Sequence, residues 1–118
     1  MKGIIWAYDI DDAIVQLAEI EAQYTLLKID VVNKTISKFN NSYITFANGD
    51  IWRVLKASDS GKGYVANVSY IDRRISADII NTIIKPATCS WPYQAFHFYY
   101  PASIKWPRED EVFETKLI

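Results

Sequence analysis

Apolar and polar positions along this chain follow two different periods, and the changes from one to the other mark its elements. Ile10, Ala13, Ile14, Leu17, Ile20, Tyr24 and Leu27 recur every three to four residues, while Asp11, Asp12, Glu19, Glu21 and Gln23 mostly take other directions. That spacing predicts an amphipathic helix of about five turns, with its acids gathered where the helix dipole favours them. The short apolar run Gly3 to Ala7 ahead of it reads as a strand, and Asp9 is placed to cap the helix.

From Lys34 to Leu55 the period falls to two. β-Branched and aromatic residues alternate with polar ones around two turn signals, Asn40-Asn41 and Asn48-Gly49, which predicts a three-stranded antiparallel meander. A two-residue type I′ turn at Asn48-Gly49 would pair Phe46 with Ile51 and Ile44 with Arg53, and would put Ile44, Phe46, Ile51 and Leu55 on one face. Residues 57–63 are rich in Ser, Asp and Gly and form a loop. Val65 to Ile71 then reads as a strand ending at Asp72. Ser76 caps a second helix striped by Ile79, Ile80, Ile83 and Ile84, with Ile75 as a staple against Ile80. Pro86 predicts its end at Lys85. After a Cys-Ser-Trp-Pro loop, Gln94 to Tyr100 reads as a last, aromatic strand.

This order implies an α/β fold bordering on α+β. It has a parallel three-stranded core with right-handed crossovers, an antiparallel meander extension and two main helices. Residues 1–101 form the core of a single domain, and residues 102–118, framed by Pro101 and Pro107 and acidic from 109 to 111, form a solvated tail.

Composition narrows the reading. The chain has 118 residues, half of them apolar, which suits one core and leaves no room for a second domain. Thirteen basic and fourteen acidic residues lack the broad positive field of proteins that grip nucleic-acid backbones, so nucleic acid is not indicated by charge. The lone Cys89 has no partner for an internal disulfide, and no leader pattern or apolar run of roughly 20 residues is present. The expectation is a soluble cytoplasmic protein without membrane contact.

Three segments, in order, resemble the ATPase domain of phage terminase large subunits. Ile4-Ile5-Trp6-Ala7 running through Asp11-Asp12-Ala13 is similar to the strand and helix that follow the phosphate-loop unit there. Ile44-Thr45-Phe46-Ala47-Asn48-Gly49-Asp50 with Ala57-Ser58-Asp59-Ser60-Gly61-Lys62-Gly63-Tyr64 is similar to that family's hairpin and serine-glycine loop. Val68-Ser69-Tyr70-Ile71-Asp72 resembles a Walker B strand. The hairpin, the loop and the tyrosine-rich ending also resemble small phage and prophage proteins of Gram-positive bacteria. The departures bear on activity. No G-x-x-x-x-G-K-[ST] occurs, so no cradle of backbone N–H groups for phosphates is expected, and Arg73 stands where a motor has its catalytic glutamate. The resemblance therefore implies a degenerate half of a P-loop NTPase sheet, with no catalytic residues and no cofactor. The expected role is that of a non-catalytic phage or prophage protein of the bacterial host cytoplasm, acting through protein association, with a packaging protein as one candidate partner.

Individual residues carry further expectations. Asp72, at the carboxyl end of an apolar strand, stands where α/β folds place a magnesium ligand, or else bonds Arg73 or Arg74. Lys62, Arg73 and Arg74 are the candidate phosphate or nucleic-acid contacts, although Lys62 lies roughly 25 Å from the arginines if the strand between them is extended. They carry an alternative reading as a nucleic-acid-associated accessory protein. His97 lies between Phe96 and Phe98 without a second ligand nearby, and with Asp72 it supports a third reading, a small enzyme of unrecognised type. The aromatic segment gives Trp91, Tyr93, Tyr99 and Trp106 as homodimer contacts, with Phe96, Phe98 and Tyr100 turned to the core.

Overall fold

The computed structural model describes residues 1–37, 42–58, 63–89 and 93–101. The first strand, β1 (Lys2–Ala7), leads into α1 (Ile10–Leu26), and three strands follow: β2 (Val31–Thr35), β3 (Tyr43–Phe46) and β4 (Ile51–Lys56). Then come β5 (Val68–Asp72), a second helical segment α2 over residues 77–87, and β6 (Ala95–Tyr99). The six strands form one mixed sheet in the order β2-β3-β4-β1-β5-β6, an α/β arrangement. Strands β1, β5 and β6 are parallel, as the sequence predicts. The parallel run is one strand longer than expected, because β4 also lies parallel to β1 and joins the meander to the core.

The two helices lie on opposite faces. Ile5 and Ala7 of β1 pack with Ala13, Leu17 and Ile20 of α1, whereas Ile4 and Trp6 pack with Ile80, Ile83 and Ile84 of α2. Neighbouring residues of a strand point to opposite faces, so this alternation settles the layering. Both faces of β1 and β5 are covered, which explains why these strands read as unbroken apolar runs. On the α2 side a buried chain of hydrogen bonds satisfies the polar groups. Trp6 Nε1 donates to Ser69 Oγ (3.0 Å), which stands 2.7 Å from Thr88 Oγ1, and that hydroxyl donates to the carbonyl of Ile84 (2.7 Å).

Helix α1 begins as predicted, with Asp9 accepting from the N–H of Asp11. The hairpin differs by one residue. Gly49 N–H donates to Phe46 C=O and Phe46 N–H to Asp50 C=O, which closes a three-residue loop. Gly49 has φ +92°, while Asn48 is not among the positive-φ residues that a type I′ turn needs at both centres. Thr45 consequently pairs with Ile51 and Ile44 with Trp52. A one-residue slip exchanges faces. Ile44, Phe46, Trp52 and Val54 share the α1 side, and Leu55 joins the α2 core.

Pro86 does not end the second helix at Lys85. Residues Ile80–Ile84 form a π-helical turn, in which Lys85 N–H reaches the carbonyl of Ile80 five residues back, and an α-turn Lys85–Ala87 follows. Pro86 stands in the first turn of that last piece, where a missing N–H is tolerated.

The assignment of faces in β6 is also corrected. Tyr99 is buried in the α1-side core and its hydroxyl donates to the carbonyl of Trp6 (3.0 Å), so it is not a surface contact. Phe96 and Phe98 are half-buried against the α2 core, and Tyr100 is exposed. The physical reason is that helices cover both faces at this point, so alternation does not separate inside from outside. No helix among the described residues is long and apolar enough to cross a membrane.

Candidate functional site

Adjacent parallel strands whose following helices leave to opposite faces open a crevice at their carboxyl ends, and α/β proteins place ligands there. Strands β1 and β5 form such a pair, since α1 leaves β1 to one side and α2 leaves β5 to the other. A cleft of about 280 Å³ lies there, lined by Ala7, Tyr8, Lys56 and Ala57 on one side and Arg74, Ser76 and Ile79 on the other.

Arg74 dominates the chemistry of this crevice. Asp72 is completely buried at the end of β5. Its Oδ1 accepts from the backbone N–H (2.8 Å) and Nε (3.0 Å) of Arg74, and its Oδ2 accepts from Nη2 (2.7 Å). The same Nη2 donates to Asp12 Oδ2 in the first turn of α1 (2.7 Å). Tyr8 closes the group, its ring centroid 4.6 Å from the guanidinium carbon. A planar guanidinium meets a carboxylate through two parallel hydrogen bonds and stacks on an aromatic face, and lysine does neither. The hydrogen bonds that Arg74 donates to Asp72 hold it above its ordinary pKa, with burial opposing and Asp12 adding. Tyr99 is raised too, mainly by burial and further by the charge of Asp72.

The guanidinium thus lies between two carboxylates, Asp12 and Asp72, and bonds to both. Both oxygens of Asp72 are engaged, and among the described residues no group of three His, Cys, Asp or Glu side chains is arranged to hold a metal ion.

No protein-family model, curated protein or solved structure matches this chain.

The two arginines do not converge. Arg74 turns towards α1, whereas the guanidinium carbon of Arg73 lies 5.4 Å from the Phe98 ring centroid and 5.9 Å from that of Tyr100, with the residue itself buried. Lys62, Trp91 and Trp106 lie outside the described residues. Tyr93 is exposed. His97 is exposed and tilted against Tyr70 at 5.0 Å between ring centroids. It faces Tyr70 across the sheet while Asp72 faces Tyr99, and no hydrogen bond joins His97 to Asp72 among the described residues.

Sequence reasoning found Asp72 and Arg74 but missed Asp12 and Tyr8. The signal was present in Tyr8-Asp9-Ile10-Asp11-Asp12, an aromatic and three acids directly after a buried strand. What it lacked was the direction of the first turn of α1, which turns Asp12 towards Arg74 across 62 positions of sequence.

Proposed function

We propose that this chain is a non-catalytic phage or prophage protein, related in architecture to the terminase ATPase core, that works in the bacterial host cytoplasm by protein association. The observation that carries this reading is the occupied crevice. An α/β motor does its chemistry at the strand ends, and here Arg74 engages Asp72, the one fully buried carboxylate among the described residues. With no phosphate loop in the sequence, nucleotide has no cradle of backbone N–H groups for its phosphates.

What remains is surface, and one edge of the sheet supports self-pairing. Strand β2 is exposed along all five residues. It continues a patch begun by Leu26 and Leu27, with Val32 and Ile36 also in solvent. Its one charged residue, Lys34, is held back on α1 by Glu21 (2.7 Å) and does not guard the edge. Unpaired strand edges of this kind take up another strand, and two-fold antiparallel pairing lets the same segment satisfy itself. The partner in this reading is a second copy of the chain, joined β2 to β2.

Light scattering across a concentration series tests the association. A dimer that Val32→Glu converts to a folded monomer is expected, and a native chain that stays monomeric at high concentration overturns it. Thermal shift with Mg-ATP tests the other half. No shift is expected, and a clear shift abolished by Asp72→Ala would refute the non-catalytic reading.

A further inference from the structure

On the α2 side of the sheet, helix α2 packs over Ile4, Trp6, Leu55 and Ile71. Among the described residues no helix covers the neighbouring part of that face, carried by β3 and β4. Ile51 and Arg53 point out there, since they alternate with Trp52 and Val54 of the α1-side core. Tyr43 stands beside Arg53 in the sheet. A cleft of about 300 Å³ opens on this face, floored by Ile4 and Ile51, walled by residues 63–65 and rimmed by Lys2 and Arg53.

Three features of this cleft point to one kind of ligand. Among the described residues its charged lining side chains, Lys2 and Arg53, are both basic, although the chain as a whole has a net charge of -1. Arg53 makes no ion pair or hydrogen bond among the described residues and lies over two rings, 5.5 Å from the Tyr43 centroid and 5.4 Å from that of Tyr64. Tyr64 is partly in solvent beside the apolar floor, and its loop is set by Gly63 at φ +92°. A cation stacked on rings keeps its N–H fork free for phosphate, and an exposed ring over an apolar floor accepts the face of a base.

We propose that this cleft seats one nucleotide of a single-stranded nucleic acid, its base stacked on Tyr64 and the flanking phosphates held by Arg53 and Lys2. A single strand can splay a base into such a cleft, whereas a duplex keeps its bases stacked and paired. The surface is separate from the β2 edge and from the Arg74 crevice, so it stands or falls independently of the association reading.

Fluorescence anisotropy of the full chain with a labelled oligothymidylate of about 12 nucleotides, at about 50 mM salt, tests the proposal. Micromolar binding is expected, weakening with salt at a slope of about −1.4, which corresponds to two neutralised phosphates on a single strand. Tyr64→Ala and Arg53→Gln should each weaken it about tenfold without moving the thermal midpoint, while Lys85→Gln on α2 leaves it unchanged. If Arg53→Gln does not fold, Arg53→Lys, which keeps the charge and loses the fork, serves in its place. Absence of binding, indifference to both Tyr64→Ala and the arginine change, equal competition by a duplex, or stronger competition by a polyglutamate peptide would each overturn it.

Discussion

At the scale of single residues, two carboxylates show how neighbours decide a role. Asp72 is wholly buried and depends on Arg74, so Arg74→Met should leave an uncompensated buried charge and lower stability by about 3–5 kcal/mol in denaturant melts. A cost below about 1 kcal/mol would mean that water reaches Asp72. Asp50 lies at the other end of β1 and accepts from the Met1 ammonium (3.0 Å), the Tyr24 hydroxyl (2.6 Å) and Asn48 (3.1 Å). Burial alone would raise its pKa, but these donors outweigh it and hold the carboxyl below its ordinary value. Tyr24 is pushed up to about 12, first by burial and then by its bond to Asp50. A carboxyl depressed in the folded state adds stability above its unfolded pKa and loses it as pH falls through the folded value. Melts of the native chain and Asp50→Asn should therefore differ most near neutral pH and converge below about pH 4. A difference that stayed constant with pH would assign the effect to packing instead.

At the scale of elements, the clearest signals were those set by local chemistry. The stripe from Ile10 to Tyr24 and the Asp9 cap lie where the 3.6-residue period places them, because a helix closes its hydrogen bonds within itself, whereas Leu27, expected on the same stripe, stands past the helix end and is exposed. The hairpin was legible as a turn but not in its register, since Asn-Gly suits both a two-residue loop and a three-residue loop ending on a left-handed glycine. Gly49 has open space around it and φ +92°, so Gly49→Val should cost about 1–3 kcal/mol through backbone strain alone. An unchanged denaturation midpoint would show that the turn relaxes. Gly3 is the opposite case. A Cβ there would fall inside the ring of Trp52, which is pinned by its Nε1 bond to the Tyr24 hydroxyl (3.0 Å) and by an edge contact with Tyr70 at 5.3 Å. Gly3→Ala should destabilise by about 1–3 kcal/mol through overpacking, and a neutral result would mean that β1 and β4 can part.

At the scale of the whole molecule, the sheet formed by the described residues ends on β2 at one side and β6 at the other, and the two differ in kind. Strand β6 ends on Tyr99, buried against α1 and tied to Trp6, whereas β2 is exposed throughout. The proposed dimer is placed at the β2 edge for that reason. A charge at Val32 should abolish it, and a charge at the exposed Tyr93 should leave it intact by light scattering; the reverse pattern would return the interface to the aromatic segment.

The sequence by itself determined the strand and helix order, the parallel β1-β5-β6 core, the caps at Asp9 and Ser76, and the apolar stripes of both helices. The caps and stripes depend on the spacing of neighbours within a few residues, and the parallel core on the order of elements and the handedness of crossovers. Only the tertiary structure decided that β4 pairs with β1, that Tyr99 turns inward, and that Asp12 and Asp72 share one guanidinium. These follow from which elements lie side by side. A period of two names the faces of a strand, but it cannot tell which face is covered when helices pack on both.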